Sequence, residues 1–446
     1  MRLRFALSMV VAAAAVSSVV PAAGAVEGEP QPDGVSYAPA VSADGRWVAF
    51  VSEASNLLGG DPTTDTNGLA DIFLVDTQTS TIRLVSSAGA PADGNSFDVD
   101  ISADGRYVVF QTFATNLVPG DANGPDGDIV LFDAQAGSLT LVSRRGLAGV
   151  QGDDESFAPT ISADGTKVAF GSRATNLVGN DTNGKADIFV RDVVTGVTSR
   201  VSTDSSGRQA NNTSFDATIA PGGGFVALSS LASNLVSGDT NGARDIFLKN
   251  LSTGKATRVS VTNGDRQATS SSGLEDISAN GRWVVFNSSA SNLVKGDDNN
   301  KGDVFVRDRI DGTTLRVSRR GAIDGNGDSF GAAISDDGSF IVFVSRATNL
   351  EAGDDENGVT LDLFEYRAAT KTVVRVSSDA TGGQTDGASY EAVIAGDGSV
   401  VAFASLATDI VAGDLDGVDD VFTHEWVGDE RVERELGWWS RVLPVA

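Results

Sequence analysis

A phrase of the form Ser-Ala-Asp-Gly-Arg recurs along this chain, and its spacing limits what the chain can fold into. The turn glycines are Gly45, Gly105, Gly165, Gly223, Gly281, Gly338 and Gly398, separated by 60, 60, 58, 58, 57 and 60 residues. Self-similarity at a fixed period marks a repeat architecture, in which each unit buries its faces only against its neighbours. Seven such units account for nearly all of the 446 residues.

Each unit carries the same four pieces. A short first strand places an aromatic four residues before an aliphatic: Tyr37/Val41, Phe97/Ile101, Phe157/Ile161, Phe215/Ile219, Phe330/Ile334 and Tyr390/Ile394. The fifth unit departs, with Gly273 before Ile277. The Asp-Gly, Asn280-Gly281 or Gly222-Gly223 turn that follows suits a two-residue type I′ hairpin. The second strand is apolar throughout, as in Trp47-Val48-Ala49-Phe50. After a long polar connection, the third strand opens on Asp (Asp187-Ile188-Phe189) and the fourth ends in Val-Ser (Arg200-Val201-Ser202). Four antiparallel strands repeated seven times predict an all-β, seven-bladed β-propeller over residues 36–427. A near-continuous apolar second strand needs cover on both faces, and adjacent blades supply it. Residues 428–446 lack the Arg-Val-Ser signature; Arg431–Leu436 and Arg441–Val445 are the two candidates for the outer strand of blade seven.

The units resemble the WD-like propeller repeat of TolB-type proteins. The matching residues are Ile161-Ser162-Ala163-Asp164-Gly165, Val168-Ala169-Phe170, Asp187-Ile188-Phe189-Val190 and Thr195-Gly196. The resemblance spans residues 36–425 and implies a TolB-like, protein-binding propeller. It departs from the TolB pattern, a six-bladed propeller behind an N-terminal domain, in having seven repeats and only a short leader (26–35) before the first. Related propellers cap hydrolase domains, and none is expected here.

At the N-terminus, Arg2 and Arg4 precede an apolar run from Phe5 to Val20 and the small-residue site Ala23-Gly24-Ala25. This reads as a signal peptide over residues 1–25. The run is shorter than a bilayer span, and no other stretch is long enough, so the expectation is a secreted protein, periplasmic if the source has an outer membrane. The net charge of −27 argues against nucleic acid and against an anionic membrane surface. There is no cysteine and one histidine, His424. Thiolate chemistry is excluded, and a Ser-His-Asp triad or multi-histidine zinc site has almost no material. His424 falls in the third strand of blade seven and is expected to be an exposed strand residue.

The candidate site residues lie just before the third strands, in the pattern Asp-x-Asn-Gly-x-x-Asp. Full instances are Asp65/Asn67/Asp71, Asp181/Asn183/Asp187 and Asp239/Asn241/Asp245. Asp297/Asn299/Asp303 has Asn300 in place of Gly, and Asp414/Asp416/Asp420 is all carboxylate. Asp121/Asn123/Asp128 and Asp355/Asn357/Asp362 carry one extra residue. Alternating oxygens in a tight turn suit calcium, although each loop offers few of the 6–8 oxygens the ion takes. The competing reading is Asx-turns that cap backbone amides. An Asp-box of sialidase type is disfavoured, because its spacing is one residue short and all four tyrosines sit at strand positions. An enzyme would break the repeat with blade-specific polar residues, and no such cluster stands out. The expectation is therefore a monomeric, non-enzymatic scaffold that binds a protein or cell-surface polymer and takes calcium if any ligand ion. The alternative is a glycan hydrolase or lyase with an acidic site.

Overall fold

In Trp47–Ser52 every residue after Trp47 is buried, and the second strands of the other blades follow suit with a single half-buried exception, Asn287. A strand apolar on both faces can sit only between two other layers. The computed structural model satisfies this with seven four-stranded antiparallel sheets, each built from one contiguous stretch of chain in the order first, second, third, fourth strand. Blade one comprises Ser36–Val41, Trp47–Ser52, Asp71–Asp76 and Thr81–Leu84. Blades two to seven span 96–141, 156–200, 214–258, 272–316, 329–375 and 389–436. The structure describes residues 32–58, 65–147, 149–352, 357–411, 414, 417–427 and 430–436. The signal peptide, the leader up to residue 31, Asp355, Asp416 and residues 437–446 lie outside the described residues. Among those described there is no helix, and hence none long and apolar enough to cross a membrane.

The first strand of each blade is innermost and packs against the first strands of both neighbours. The core lies between blades. Phe50 stacks on Phe73 and Phe170 on Phe189, both at 5.9 Å, with the same pair in blades five, six and seven. These phenylalanines are fully buried. The outer strand of blade seven is Glu430–Leu436, paired with Asp420–Val427.

Among the described residues, blades one and seven share no strand. A circle of backbone hydrogen bonds of 2.9–3.1 Å runs through the seven turns, from Ala43 N to Ala103 O, and so on to Asp397 N, which donates to Ala43 O. Pro221 has no N–H, so in blade four the donor moves to Gly222. Ser36 N donates to Asp419 O, the same bond that Ser96 N makes to Ala70 O between blades one and two.

The turns differ from the expected type I′. The pairs Ser42 N to Trp47 O and Gly45 N to Ser42 O enclose a four-residue loop, and of its residues only Gly45 has positive φ. That loop frees Ser42 to receive Trp47 N and to donate to Asp44, which explains the repeated Ser-x-Asp-Gly. The glycine has a second role. A Cβ on Gly105 would lie 2.2 Å from Trp47, one on Gly165 2.2 Å from Tyr107, and one on Gly338 2.4 Å from Trp283. Each aromatic that opens a second strand thus seats on the turn of the next blade.

His424 is fully buried rather than exposed. Its equivalents Arg191, Lys249 and Arg307 are also buried. They reach the preceding blade's connection, Arg191 to Arg144 O at 2.8 Å and Lys249 to Thr203 O at 3.0 Å. This strand position belongs to the contact between blades, which a sequence alternation cannot reveal.

Candidate functional site

In the Asp-x-Asn loops, the last aspartate and the Val-Ser serine are one unit. Asp71 Oδ1 accepts from Ser86 Oγ at 2.5 Å, and the same oxygen of Ser86 accepts from Ile72 N at 3.0 Å. Ser143–Asp128, Ser202–Asp187, Ser260–Asp245 and Ser318–Asp303 repeat it. The middle asparagine donates to that aspartate and to a carbonyl of the next connection: Asn67 to Asp71 and Ala92 O, Asn183 to Asp187 and Ala210 O, Asn241 to Asp245 and Ala268 O, Asn299 to Asp303 and Gly325 O.

The arginine of Arg-Val-Ser then inserts between the two aspartates. One guanidinium nitrogen lies 3.2 and 3.5 Å from Asp181 and Asp187 for Arg200. For Arg258 the distances to Asp239 and Asp245 are 3.3 and 3.2 Å. For the fully buried Arg316 they are 2.8 Å to Asp297 and 3.0 Å to Asp303. In these three loops the protein's own cation stands where an ion would need to be. In blade two Gln151 bridges Asp121 and Asp128 at 2.9 and 2.5 Å. In blade six Arg375 lies 3.8 Å from Asp362. Asp414 and Asp420 of blade seven are buried. Among the described residues, no group of three or more Asp, Glu, His or Cys side chains is placed to hold a metal ion. Burial, with a neighbouring aspartate adding, pushes Asp65 up to about 6. Asp128 also rises to about 6, by burial first.

The acidic connections also have structural partners. Asp93 holds both the N–H and the hydroxyl of Thr115, at 2.6 and 2.7 Å, and Asp153 does the same for Thr175. These bonds account for the recurring Ala-Thr-Asn and place the second-to-third loops and the blade-to-blade connections on one face.

The second region is the central channel, a cavity of about 540 Å³ lined by the first strands and the turns after them. Every first strand breaks register with its neighbour through a bulge. At the bulge Ala38, Asp98, Ala158 and Glu391 have φ of 46–52°, a left-handed conformation that costs roughly 1–2 kcal/mol each outside glycine. The first strands also turn N–H groups towards the preceding blade, whose carboxylates accept them. Glu391 accepts from Ala38 N at 2.7 Å across the ring closure. Asp100 accepts from Ile161 N at 2.7 Å and Asp276 from Ile334 N at 2.9 Å. Glu275 accepts from Gly331 N and Ala332 N, both at 3.2 Å.

With Asp98, Asp216 and Asp336, seven carboxylates line this cavity, and its lining includes no Lys, Arg, His or Tyr. Protein surrounds the side chains although water reaches them. This desolvation pushes Asp100 up to about 6 and, reinforced by the other acids, Glu275 and Asp276 up to about 7. Glu391 and Asp98 are raised for the same reason.

No protein-family model and no curated protein matches the chain in sequence. Solved structures do match in fold. The β-propeller domain of the Trilobed protease from Pyrococcus furiosus, described as an open velcro ring, gives a TM-score of 0.54 at 10% identity, over 92% of this chain and 99% of that one. An oligogalacturonate lyase from Vibrio parahaemolyticus gives 0.53 at 12% identity, over 89% and 92%. TolB from Acinetobacter baumannii gives 0.42 at 14% identity, over 78% and 64%. At such identities likeness extends to the fold alone.

The channel cluster is what sequence reasoning missed, and it corrects the expectation that no blade-specific polar cluster exists. The signal was present. Acids break the first-strand pattern at the third position in Asp98, Asp216 and Glu391, at the fourth in Glu275 and at the fifth in Asp100 and Asp276.

Proposed function

We propose that the protein is an extracytoplasmic, non-enzymatic binding propeller that engages a protein or surface polymer bearing positive charge at the mouth of its channel. The observation that carries this reading is the lining of the channel: seven carboxylates and no basic side chain. Such a cavity, walled by low-dielectric protein, focuses a negative field and raises the local concentration of cationic groups. The leader sequence supports a location outside the cytoplasm. The test is capture from the surface fraction of the source organism, with oligolysine as competitor. Wild-type protein should retain a partner that oligolysine and moderate salt release, and Asp98→Asn with Asp216→Asn should retain far less. Equal capture by the double variant would refute the reading.

One observation favours a second reading, an enzyme of glycan hydrolase or lyase type. Glu275 and Asp276 are adjacent and both sit at about 7, the range suited to a general acid or base. Release of reducing or unsaturated ends from acidic or neutral polysaccharides, abolished in Asp276→Asn, would establish it.

A further inference from the structure

We propose that Trp438 and Trp439, in the C-terminal segment 437–446, seat on Val75 and Ile82 of blade one and clasp the ring between blades seven and one. The contact lies at the outer strands and is independent of the channel and of the binding function above.

The chain that leaves each outer strand serves the next blade as well as its own. In blades two, three and four the outer-strand residues opposite the third residue of the third strand are Leu141, Arg200 and Arg258. Three residues further on stand Arg144, Thr203 and Val261, and each gives its carbonyl to the following blade. Arg144 O accepts from Arg191 Nη1 at 2.8 Å and from Thr198 Oγ1 at 2.7 Å. Thr203 O accepts from Lys249 Nζ at 3.0 Å, and Val261 O from Thr314 Oγ1 at 2.6 Å. The next carbonyl along is used too: Asp204 O accepts from Lys249 at 2.9 Å and Thr262 O from Arg307 at 3.1 Å. The receiving positions are equivalent and paired with each other, Arg191 with Thr198, Lys249 with Ala256 and Arg307 with Thr314.

Blade seven keeps this register, with Glu435 opposite Phe422. Three residues further on is Trp438, followed by Trp439. The next blade in the ring is blade one, whose receiving pair is Val75 and Ile82. Neither side chain has a donor, so the hydrogen bonds of blades three to five have no counterpart here. Val75 belongs to the apolar cluster between blades seven and one, with Ala402 and Val421, and Ile82 packs against it. Blades two and six also receive with apolar pairs, Phe132/Leu139 and Tyr366/Val373. The connections that reach them carry Ala88, Ala90 and Pro91, and Ala322 and Ile323. Where the receiving pair is apolar, the arriving chain is apolar, and at blade one it brings two tryptophans, each able to bury about 150–250 Å². The junction has the greatest need of such a contact. The chain itself crosses the other six junctions, whereas blades seven and one share no strand among the described residues.

The experiment uses residues 26–446, which contain no cysteine, so one introduced thiol reports on one position. Ile82→Cys and, as control, Ala256→Cys at the equivalent position of blade four are labelled with a thiol reagent. Each is measured with the natural C-terminal segment and with Trp438→Ser plus Trp439→Ser. Loss of the tryptophans should speed labelling of Ile82→Cys about tenfold or more and leave Ala256→Cys within about twofold. Unchanged labelling at position 82 overturns the proposal. An equal rise at both positions overturns it as well, because it reports a general loosening of the ring. Ile82→Glu keeps the tryptophans and decides the matter if their double variant folds poorly: tryptophan emission should move to longer wavelength, and an unchanged spectrum overturns the proposal.

Discussion

Asp276 offers the sharpest test of how the channel acids are held. Its Oδ1 accepts from Ile277 N at 2.7 Å and its Oδ2 from Ile334 N of the next blade at 2.9 Å. Burial, with Asp100 and Asp336 adding, raises it from its ordinary 3.8 to about 7. The folded state therefore holds a proton that the unfolded chain releases near 3.8. The stability this contributes is fully present below 3.8 and is lost as pH rises through about 7. The span of roughly three pH units at 1.36 kcal/mol each sets a ceiling of about 4 kcal/mol, and water in the channel lowers it to about 1–2 kcal/mol. Asp276→Asn keeps the size and removes the charge, but it keeps one acceptor oxygen for two N–H groups, a penalty that is the same at every pH. Urea midpoints at pH 4, 6 and 8 should show the variant gaining about 1–2 kcal/mol on wild type between pH 4 and pH 8. An offset equal at pH 4 and 8 would show that the fold does not favour the protonated carboxyl, and one that moves against the variant as pH rises would show that the fold prefers the ionised form.

Three further outcomes follow from the packing. Phe170→Ala empties a fully buried position stacked on Phe189 and should cost about 3–5 kcal/mol in chemical denaturation; a midpoint equal to wild type would place the residue outside the core. Arg316→Met leaves Asp297 and Asp303 buried without their cation and should cost about 3–5 kcal/mol at pH 7; a midpoint equal to wild type would show that the ion pair contributes nothing. Gly105→Ala forces a Cβ to 2.2 Å from Trp47 at φ 71°; the melting temperature should fall and the near-ultraviolet signal of tryptophan should change, whereas Gly254→Ala, with nothing within 4 Å, should lose only the backbone cost of about 1–2 kcal/mol.

Period and polarity were enough to read the blades, because each strand type carries its own composition and the second strand can be satisfied only between neighbours. Contacts between blades were not legible. The burial of His424 and the seating of Trp47 on Gly105 depend on which blade meets which, and that relation spans some 60 residues of chain. The Asp-x-Asn loops were legible as a motif, but their occupant was not. Whether the aspartates face an arginine, a glutamine or neither is decided by the residue opposite the third-strand phenylalanine and by the connection that follows it. The turn was misread for a local reason: Asp-Gly suits a type I′ hairpin, but the Ser42 side chain captures Trp47 N and so favours the longer loop.

The channel acids have two physical roles that pull in one direction. The bulged first strands turn N–H groups towards the preceding blade, whose acids accept them always in the same sense around the ring, Asp100 from Ile161, Asp276 from Ile334 and Glu391 from Ala38. A carboxylate that accepts one or two N–H groups still has lone pairs to present to the cavity. Its remaining cost is first its burial and then the field of the other acids, which together are why Glu275 and Asp276 hold their protons up to about 7. A cationic ligand at the mouth removes that repulsion without displacing the N–H groups. It should therefore strengthen the contacts between blades as it binds, above all at the junction of blades seven and one, where no strand is shared among the described residues and Glu391 reaches across to Ala38. Binding and ring closure are coupled through the same side chains, so a ligand for the channel should raise the melting temperature, and should do so less in Glu391→Gln than in wild type.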